Sequence, residues 1–225
     1  MLSRIFSRAH HALPAVRKLA PAFTAPAIVN GATKMVSLAD YAGKYVVLFW
    51  YPLDFTFVCP TEITAFSDRA GDFRAINAEV VGISIDSTFS HLAWINTPRN
   101  KGGLGAMSIP LIGDISKTVS NAYGMVVEDP SDDMHGVTLR GTVIISPAGK
   151  VVHVSNTDAP VGRSVDEVLR LIQAFRAWLG RERRLCKTAI YLFIYRLPPH
   201  PSLLQSSSRK TARCAPRAGR RARRR

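Results

Sequence analysis

Cys59 stands in the stretch DFTFVCPTEI, the first of three cysteines in a chain of 225 residues. An apolar run, KYVVLFWY at residues 44–51, precedes it, and TEITAFSDRAGDF at 61–73 follows with helical spacing. Pro60 comes directly after the cysteine. Proline suits the first turn of a helix because an N–H there would lack an intrahelical partner anyway. The sequence therefore predicts Cys59 at a helix N-terminus, where unpaired N–H groups and the helix dipole favour an anion. That placement suits a nucleophilic sulfur, since a thiol becomes a good nucleophile only when ionised and a free one titrates at about 8.5. Glu62 falls in the same first turn and opposes a thiolate unless a cation engages it. The site therefore needs an arginine from elsewhere in the chain. The competing reading of a lone cysteine is a small buried hydrophobe with no reactive role.

The elements that must position these residues follow from periodicity. Residues 44–51 are β-branched and aromatic throughout, the pattern of a strand buried on both faces. PLDFTFVCP is a loop, and 61–73 is a helix with Ile63, Phe66 and Ala70 on one face. AEVVGISID (78–86) is a second buried strand, FSHLAWIN (89–96) a short helix, and TPRNKGGLG (97–105) a loop. IPLIGD (109–114) is extended, and KTVSNAYG (117–124) is a helix closed by Gly124. RGTVIISPAGKVVHVSN (140–156) reads as a hairpin turning at Pro147-Ala148-Gly149. SVDEVLRLIQAFRAWL (164–179) is an amphipathic helix with Ser164 as N-cap and Glu167 at the capping-box position. Its apolar face is Val165, Val168, Leu169, Ile172 and Phe175. Alternating strands and helices of this kind predict an α/β fold, a mixed central sheet flanked by helices.

The formal charge of +14 invites a nucleic-acid reading, and its location argues against one for the globular part. Residues 1–20 hold four Arg/Lys and no acid; residues 180–225 hold fourteen and a single acid, Glu182. The remaining residues, 21–179, hold twelve basic and fifteen acidic side chains. The basicity thus belongs to the ends, whereas a nucleic-acid-binding domain carries it on the folded surface. Residues 1–20, with Arg4, Arg8, Arg17 and Lys18 and with Leu2, Ile5, Phe6 and Ala9 at helical spacing, have the composition of an organellar transit peptide. A mitochondrial location is expected, with a cytoplasmic one as the alternative if that segment is only a basic start. Residues 180–225 close on RAGRRARRR and lose apolar periodicity past Tyr195, the composition of a disordered tail. Two explanations of that tail stay open: contact with nucleic acid or acidic lipid, or translation of a shifted frame. Cys59, Cys186 and Cys214 have neither CxxC nor Cys/His spacing, so no metal or cofactor is expected. His91 reads as a packing residue, His135 as solvated and Trp94 as packed near the site.

YPLDFTFVCPTE (51–62) resembles the active-site segment of the typical two-cysteine peroxiredoxins. The likeness continues through FSDR (66–69), SHLAWINTPRNKGGLG (90–105), Arg140-Gly141 and PVGRSVDEVLRLIQAF (160–175), and covers roughly residues 21–176. It implies a thioredoxin-like fold for 21–179 and reduction of hydroperoxides. It implies that Cys59 is the peroxidatic cysteine, oxidised to a sulfenic acid, and that Thr56 hydrogen-bonds the peroxide. Pro52 shields the sulfur, Arg140 supplies the cation, and Glu62 and Arg163 form the supporting network. It also implies a thioredoxin-like reductant and a homodimer, with five dimers forming a decameric ring.

The pattern breaks where a resolving cysteine is due. The chain after Phe175 reads RAWLGRERRLCKTAIY and lacks the usual segment. Cys186 is the possible resolving cysteine, and Cys214 lies deeper in the arginine-rich tail. Without resolution the sulfenic acid must meet an external thiol directly. Loss of the segment also leaves room for a holdase-type chaperone, and the tail for a nucleic-acid or membrane binder, as alternatives to efficient peroxidase turnover.

Overall fold

The computed structural model describes residues 12–181, apart from Phe57 and Ala159, and gives no side-chain environment for residues 179–181. The chain divides into two units, residues 1–176 and 177–225, and the architecture below is that of the first. Residues 1–11 of the expected leader, Cys186, Cys214 and nearly all of the expected tail lie outside the described residues.

Seven strands form one sheet. They are β1 (Thr24–Val29), β2 (Ala32–Ser37), β3 (Tyr45–Trp50), β4 (Ala78–Ser84), β5 (Leu111–Gly113), β6 (Arg140–Ile145) and β7 (Val151–Thr157). Their order is β2-β1-β5-β4-β3-β6-β7. β3, β4 and β5 run parallel, while β1 and β6 join that trio antiparallel. The helices are α1 (Cys59–Asp68), α2 (Ala70–Ala75), α3 (Thr88–Asn96), α4 (Thr118–Ala122) and α5 (Val165–Arg181).

β3 is buried at every residue, as its unbroken apolar run requires, because the sheet has a core on each face. Val47, Phe49 and Tyr51 point into one core with Cys59, Ile63, Phe66, Trp94 and the apolar face of α5. Val46, Leu48 and Trp50 point into the other with Ile83, Ile112, Tyr123 and Val143. The strand thus carries the chain out of the middle of the sheet, and its C-terminal end delivers the Pro52–Val58 loop and Cys59.

Three features depart from the sequence reading. The helix starts at Cys59, as Pro60 predicts, but the single helix expected through Phe73 breaks at Arg69 into α1 and α2. A β1–β2 hairpin precedes β3, turning at Asn30-Gly31 with φ of 51° and 75°. Both central residues are left-handed, the requirement of a type I′ turn, and Asn-Gly is the pair best suited to it. Finally, Glu167 does not turn back toward its N-cap: Ser164 Oγ accepts from the Glu167 N–H at 3.3 Å, but the Glu167 carboxylate engages Arg170.

Candidate active site

Cys59 is the first residue of α1 and Pro60 the second. Val58, the residue before, offers no side-chain cap. Thr61 Oγ1 donates to the Val58 carbonyl at 2.9 Å and Thr64 Oγ1 to that of Pro60 at 2.7 Å, bonds to carbonyls that leave the first-turn N–H groups without a side-chain cap. Cys59 is a free thiol with no exposed surface.

Arg140, at the start of β6, brings Nη1 to 3.4 Å from Cys59 Sγ and donates with the same nitrogen to Glu62 Oε2 at 3.2 Å. β6 lies against β3, so the residue that opens β6 sits beside the loop that leaves β3. Glu62, one turn into α1, is itself buried. Its second cation is Arg163, in the loop before α5. The Arg163 backbone N–H and Nε each donate to Oε1 at 2.7 Å, and Nη2 donates to Oε2 at 2.7 Å. Nη1 of Arg163 donates to the Gly141 carbonyl, and its guanidinium lies 5.3 Å over the Phe49 ring. Burial opposes ionisation of Glu62, but the bonds and charge of Arg163, with Arg140, outweigh it and hold the carboxyl below its ordinary value. The sequence-predicted trio of Arg140, Glu62 and Arg163 therefore converges on Cys59. The acid that would oppose a thiolate is neutralised by two guanidiniums, one of which faces the sulfur.

Pro52 is buried, and Thr56 is partly exposed with its hydroxyl donating to the Leu53 carbonyl at 3.1 Å. Both belong to the loop between β3 and α1, in which Phe55 adopts a left-handed φ of 57°. A bulky residue in that region is strained and persists only where its surroundings fix it. Here they do. Phe55 packs on Trp94 at a ring-centroid distance of 5.5 Å, and its neighbour Asp54 anchors a buried polar network.

Sequence reasoning did not reach that network. Asp54 Oδ2 lies 2.8 Å from His91 Nδ1 and accepts from Ser90 Oγ at 2.7 Å, while Oδ1 accepts from Tyr51 Oη at 3.0 Å. His91 Nε2 faces the Ile112 carbonyl at 3.1 Å, an acceptor only, so that nitrogen carries a proton. Burial lowers the His91 pKa, but the Asp54 carboxylate overcomes it and the balance is upward. The backbone N–H of Asp54 donates to Asp86 Oδ2 at 2.9 Å, a carboxyl that burial, then the Asp54 charge, pushes above its ordinary value. His91 does pack, as expected, but as half of an ion pair that fixes the loop before Cys59. His135 is exposed and Trp94 is fully buried, as expected.

The comparisons with known proteins point the same way. Residues 16–154 match the model of the AhpC/TSA family. The chain is 56% identical over 170 residues to the mitochondrial thioredoxin-dependent peroxide reductase of Bos taurus, covering 76% of this chain and 64% of that protein. It is 58% identical over 161 residues to peroxiredoxin-2 of Bos taurus, covering 72% of this chain and 78% of that one. The chain thus spans just under two thirds of the length of the first of these relatives. Among solved structures, the reduced two-cysteine peroxiredoxin of Plasmodium vivax superposes with a TM-score of 0.70 at 39% identity, covering 77% of this chain and 90% of that one. AhpC of Mycobacterium tuberculosis gives 0.66 at 33% identity, covering 79% and 99%. The mixed seven-stranded sheet with its flanking helices is the thioredoxin-like fold of these neighbours. The chain belongs to the AhpC/TSA family.

Proposed function

We propose that this chain is a thiol peroxidase that reduces hydrogen peroxide and organic hydroperoxides at Cys59. The observation that carries the reading is the Arg140 Nη1 atom shared between Cys59 Sγ at 3.4 Å and Glu62 Oε2 at 3.2 Å. The thiolate attacks the terminal peroxide oxygen, the O–O bond breaks, and the second oxygen leaves as water or an alcohol after taking a proton. The sulfur is oxidised by two electrons to a sulfenic acid and the peroxide is reduced by two. Arg140 stabilises charge on the sulfur and on the departing oxygen. Thr56, whose hydroxyl is free to turn from the Leu53 carbonyl, hydrogen-bonds the peroxide. Pro52 keeps water from the sulfur.

A second thiol closes the cycle. It attacks the sulfenic acid, releases water and leaves a disulfide, which a thioredoxin-like donor reduces. Because Cys59 is fully covered, α1 must open at its first turn before any protein thiol reaches it. Cys186 is the candidate partner within the chain, with direct reduction by an external thiol as the alternative route. Stopped-flow peroxide oxidation, followed by non-reducing gels of the wild type, Cys186→Ser and Cys214→Ser, separates the routes. An intersubunit disulfide lost only in Cys186→Ser assigns Cys186. A disulfide absent from all three assigns the external thiol.

The assembly we propose is a dimer that associates further into a ring. Phe55, Phe89 and Ile115 are exposed at 57%, 82% and 65%. The segments that carry them meet, since Asp54 binds Ser90 and Gly113 abuts the backbone of Ser87 and Thr88. Sedimentation should give a species several-fold heavier than a dimer, and Phe89→Asp should reduce it to dimers. A mitochondrial location is supported by the basic, acid-free start of the chain and by relatives whose names carry that location.

A further inference from the structure

Composition assigns residues 1–20 to a leader, yet the last four of them are hydrogen-bonded to the residues that open β7. Lys18 N–H donates to the Ala15 carbonyl at 3.2 Å, closing a turn in which Arg17 takes a left-handed φ of 74°. The backbone then runs antiparallel to residues 149–151, which lead into β7. Arg17 N–H donates to the Val151 carbonyl at 2.7 Å, Val151 N–H to the Lys18 carbonyl at 2.9 Å, and Ala20 N–H to the Gly149 carbonyl at 2.9 Å. Leu19 and Lys150 face each other as an antiparallel bridge. Ala20 packs against the core that holds Trp50 and Tyr123, and Tyr123 Oη donates to the Pro21 carbonyl at 2.7 Å. β7 is the last strand of the sheet, so this strap is what covers its first residue.

Exposure does not separate this strap from the residues before it, since Arg17, Lys18 and Leu19 are exposed like Ala12, Leu13, Ala15 and Val16. Backbone bonding does: the hydrogen bonds to Gly149 and Val151 are made by Arg17, Lys18 and Ala20. A cut after Ala20 would remove three backbone hydrogen bonds and uncover the end of β7. It would also place a new charged amine on Pro21, beside the buried Phe23–Tyr123 ring pair. A cut before Arg17 does none of this.

We propose that proteolytic maturation of this chain occurs on the N-terminal side of Arg17, and that Arg17, Lys18, Leu19 and Ala20 remain in the mature protein as a short strap on the residues that open β7. The step is hydrolysis of one peptide bond by a leader peptidase: water adds, leaving a carboxylate on the leader and an amine on the mature chain. It rests on the reading of the first residues as a leader. Arg4 and Arg8 then remain as the leader's own cations, while Arg17 and Lys18 serve the folded protein.

The test is import of the full chain into isolated mitochondria, followed by mass spectrometry of the mature N-terminus. The expected terminus lies after Met1 and no later than Arg17. A terminus between Lys18 and Phe23 overturns the proposal while leaving the leader in place. An uncut chain inside the organelle overturns the leader reading, and the proposal with it. A second measurement is independent of import. In the purified full chain, Arg17→Pro removes the N–H donor and forbids the left-handed φ. It should lower Tm by about 3–6 °C, a shift expected for losing one to two kcal/mol in a domain of this size. Ala12→Pro should leave Tm unchanged. Equal Tm values for the two variants overturn the structural role of the strap.

Discussion

Arg163 grips Glu62 with three donors, its backbone N–H, Nε and Nη2, each at 2.7 Å. The two residues are 101 positions apart, and the grip ties the loop before α5 to the first turn of α1. Glu62 is thereby held in place as an acceptor for Arg140, and Arg140 is held facing Cys59. Glu62→Gln keeps the shape and removes the charge, leaving two guanidiniums without their shared counter-ion. Breaking a buried ion pair from one side costs about 3–5 kcal/mol. The expected result is a lower denaturant midpoint together with slower oxidation by peroxide. Equilibrium unfolding and stopped-flow oxidation of one preparation check both.

The same carboxyl sets an acid limit. Its folded pKa is below the ordinary value of 4.5. Its contribution to stability is therefore present above about pH 4.5 and is lost as pH falls through the folded value. Unfolding midpoints measured between pH 3 and 6 should fall more steeply for the wild type than for Glu62→Gln. Parallel curves would remove Glu62 from the acid response.

His91 acts with the opposite sign. Its pKa is raised above 6.5 by Asp54, against the effect of burial. The pair stabilises the fold fully below about pH 6.5 and progressively less as pH rises through the folded value. His91→Gln keeps a hydrogen-bonding side chain without the titration. The wild type should lose stability between neutral and alkaline pH relative to the variant, and midpoints across that range measure the difference.

Arg140→Met removes a preorganised donor beside the reacting sulfur, and loss of one such donor slows chemistry by about 10²–10³-fold. Arg140→Lys keeps a charge but not the planar guanidinium that reaches sulfur and carboxylate with one nitrogen, and it should fall between the wild type and Arg140→Met. Single-turnover rates against hydrogen peroxide rank the three proteins. Equal rates would separate Arg140 from the chemistry.

Gly103 has a purely steric requirement. A Cβ there would overlap the Thr97 carbonyl, in the loop that carries fully buried Leu104 into the core shared with Cys59 and Ile63. Gly103→Ala should destabilise the protein by about 3 kcal/mol or more, through backbone displacement rather than lost contacts. Thermal unfolding of the variant measures it.

The legible and illegible parts of this protein divide along physical lines. Cys59 was legible because Pro60 marks a helix start locally, and β3 because an unbroken β-branched and aromatic run has few other uses. The α5 helix was legible from its apolar stripe and Ser164. The partners of Cys59 were not legible from spacing, since nothing local relates Glu62 to residues 78 and 101 positions away; only the resemblance pointed to Arg140 and Arg163. The Asp54–His91 pair left no signal because a buried ion pair has no period. The β1–β2 hairpin did leave one, Asn30-Gly31, but its flanks TAPAIV and ATKMVS are too rich in small residues to show a strand pattern. The break at Arg69 follows a run that keeps its helical spacing through Phe73, so periodicity alone could not place it.

The most direct test mixes the reduced protein, with Cys186 and Cys214 both changed to serine, with one equivalent of hydrogen peroxide in a stopped-flow instrument. The account predicts one sulfenic acid per chain, on Cys59, forming at least about 10³-fold faster than on a free thiol, with most of that gain lost in Arg140→Met. Oxidation of Cys59 at the rate of a free thiol, or at the same rate in Arg140→Met, would contradict it.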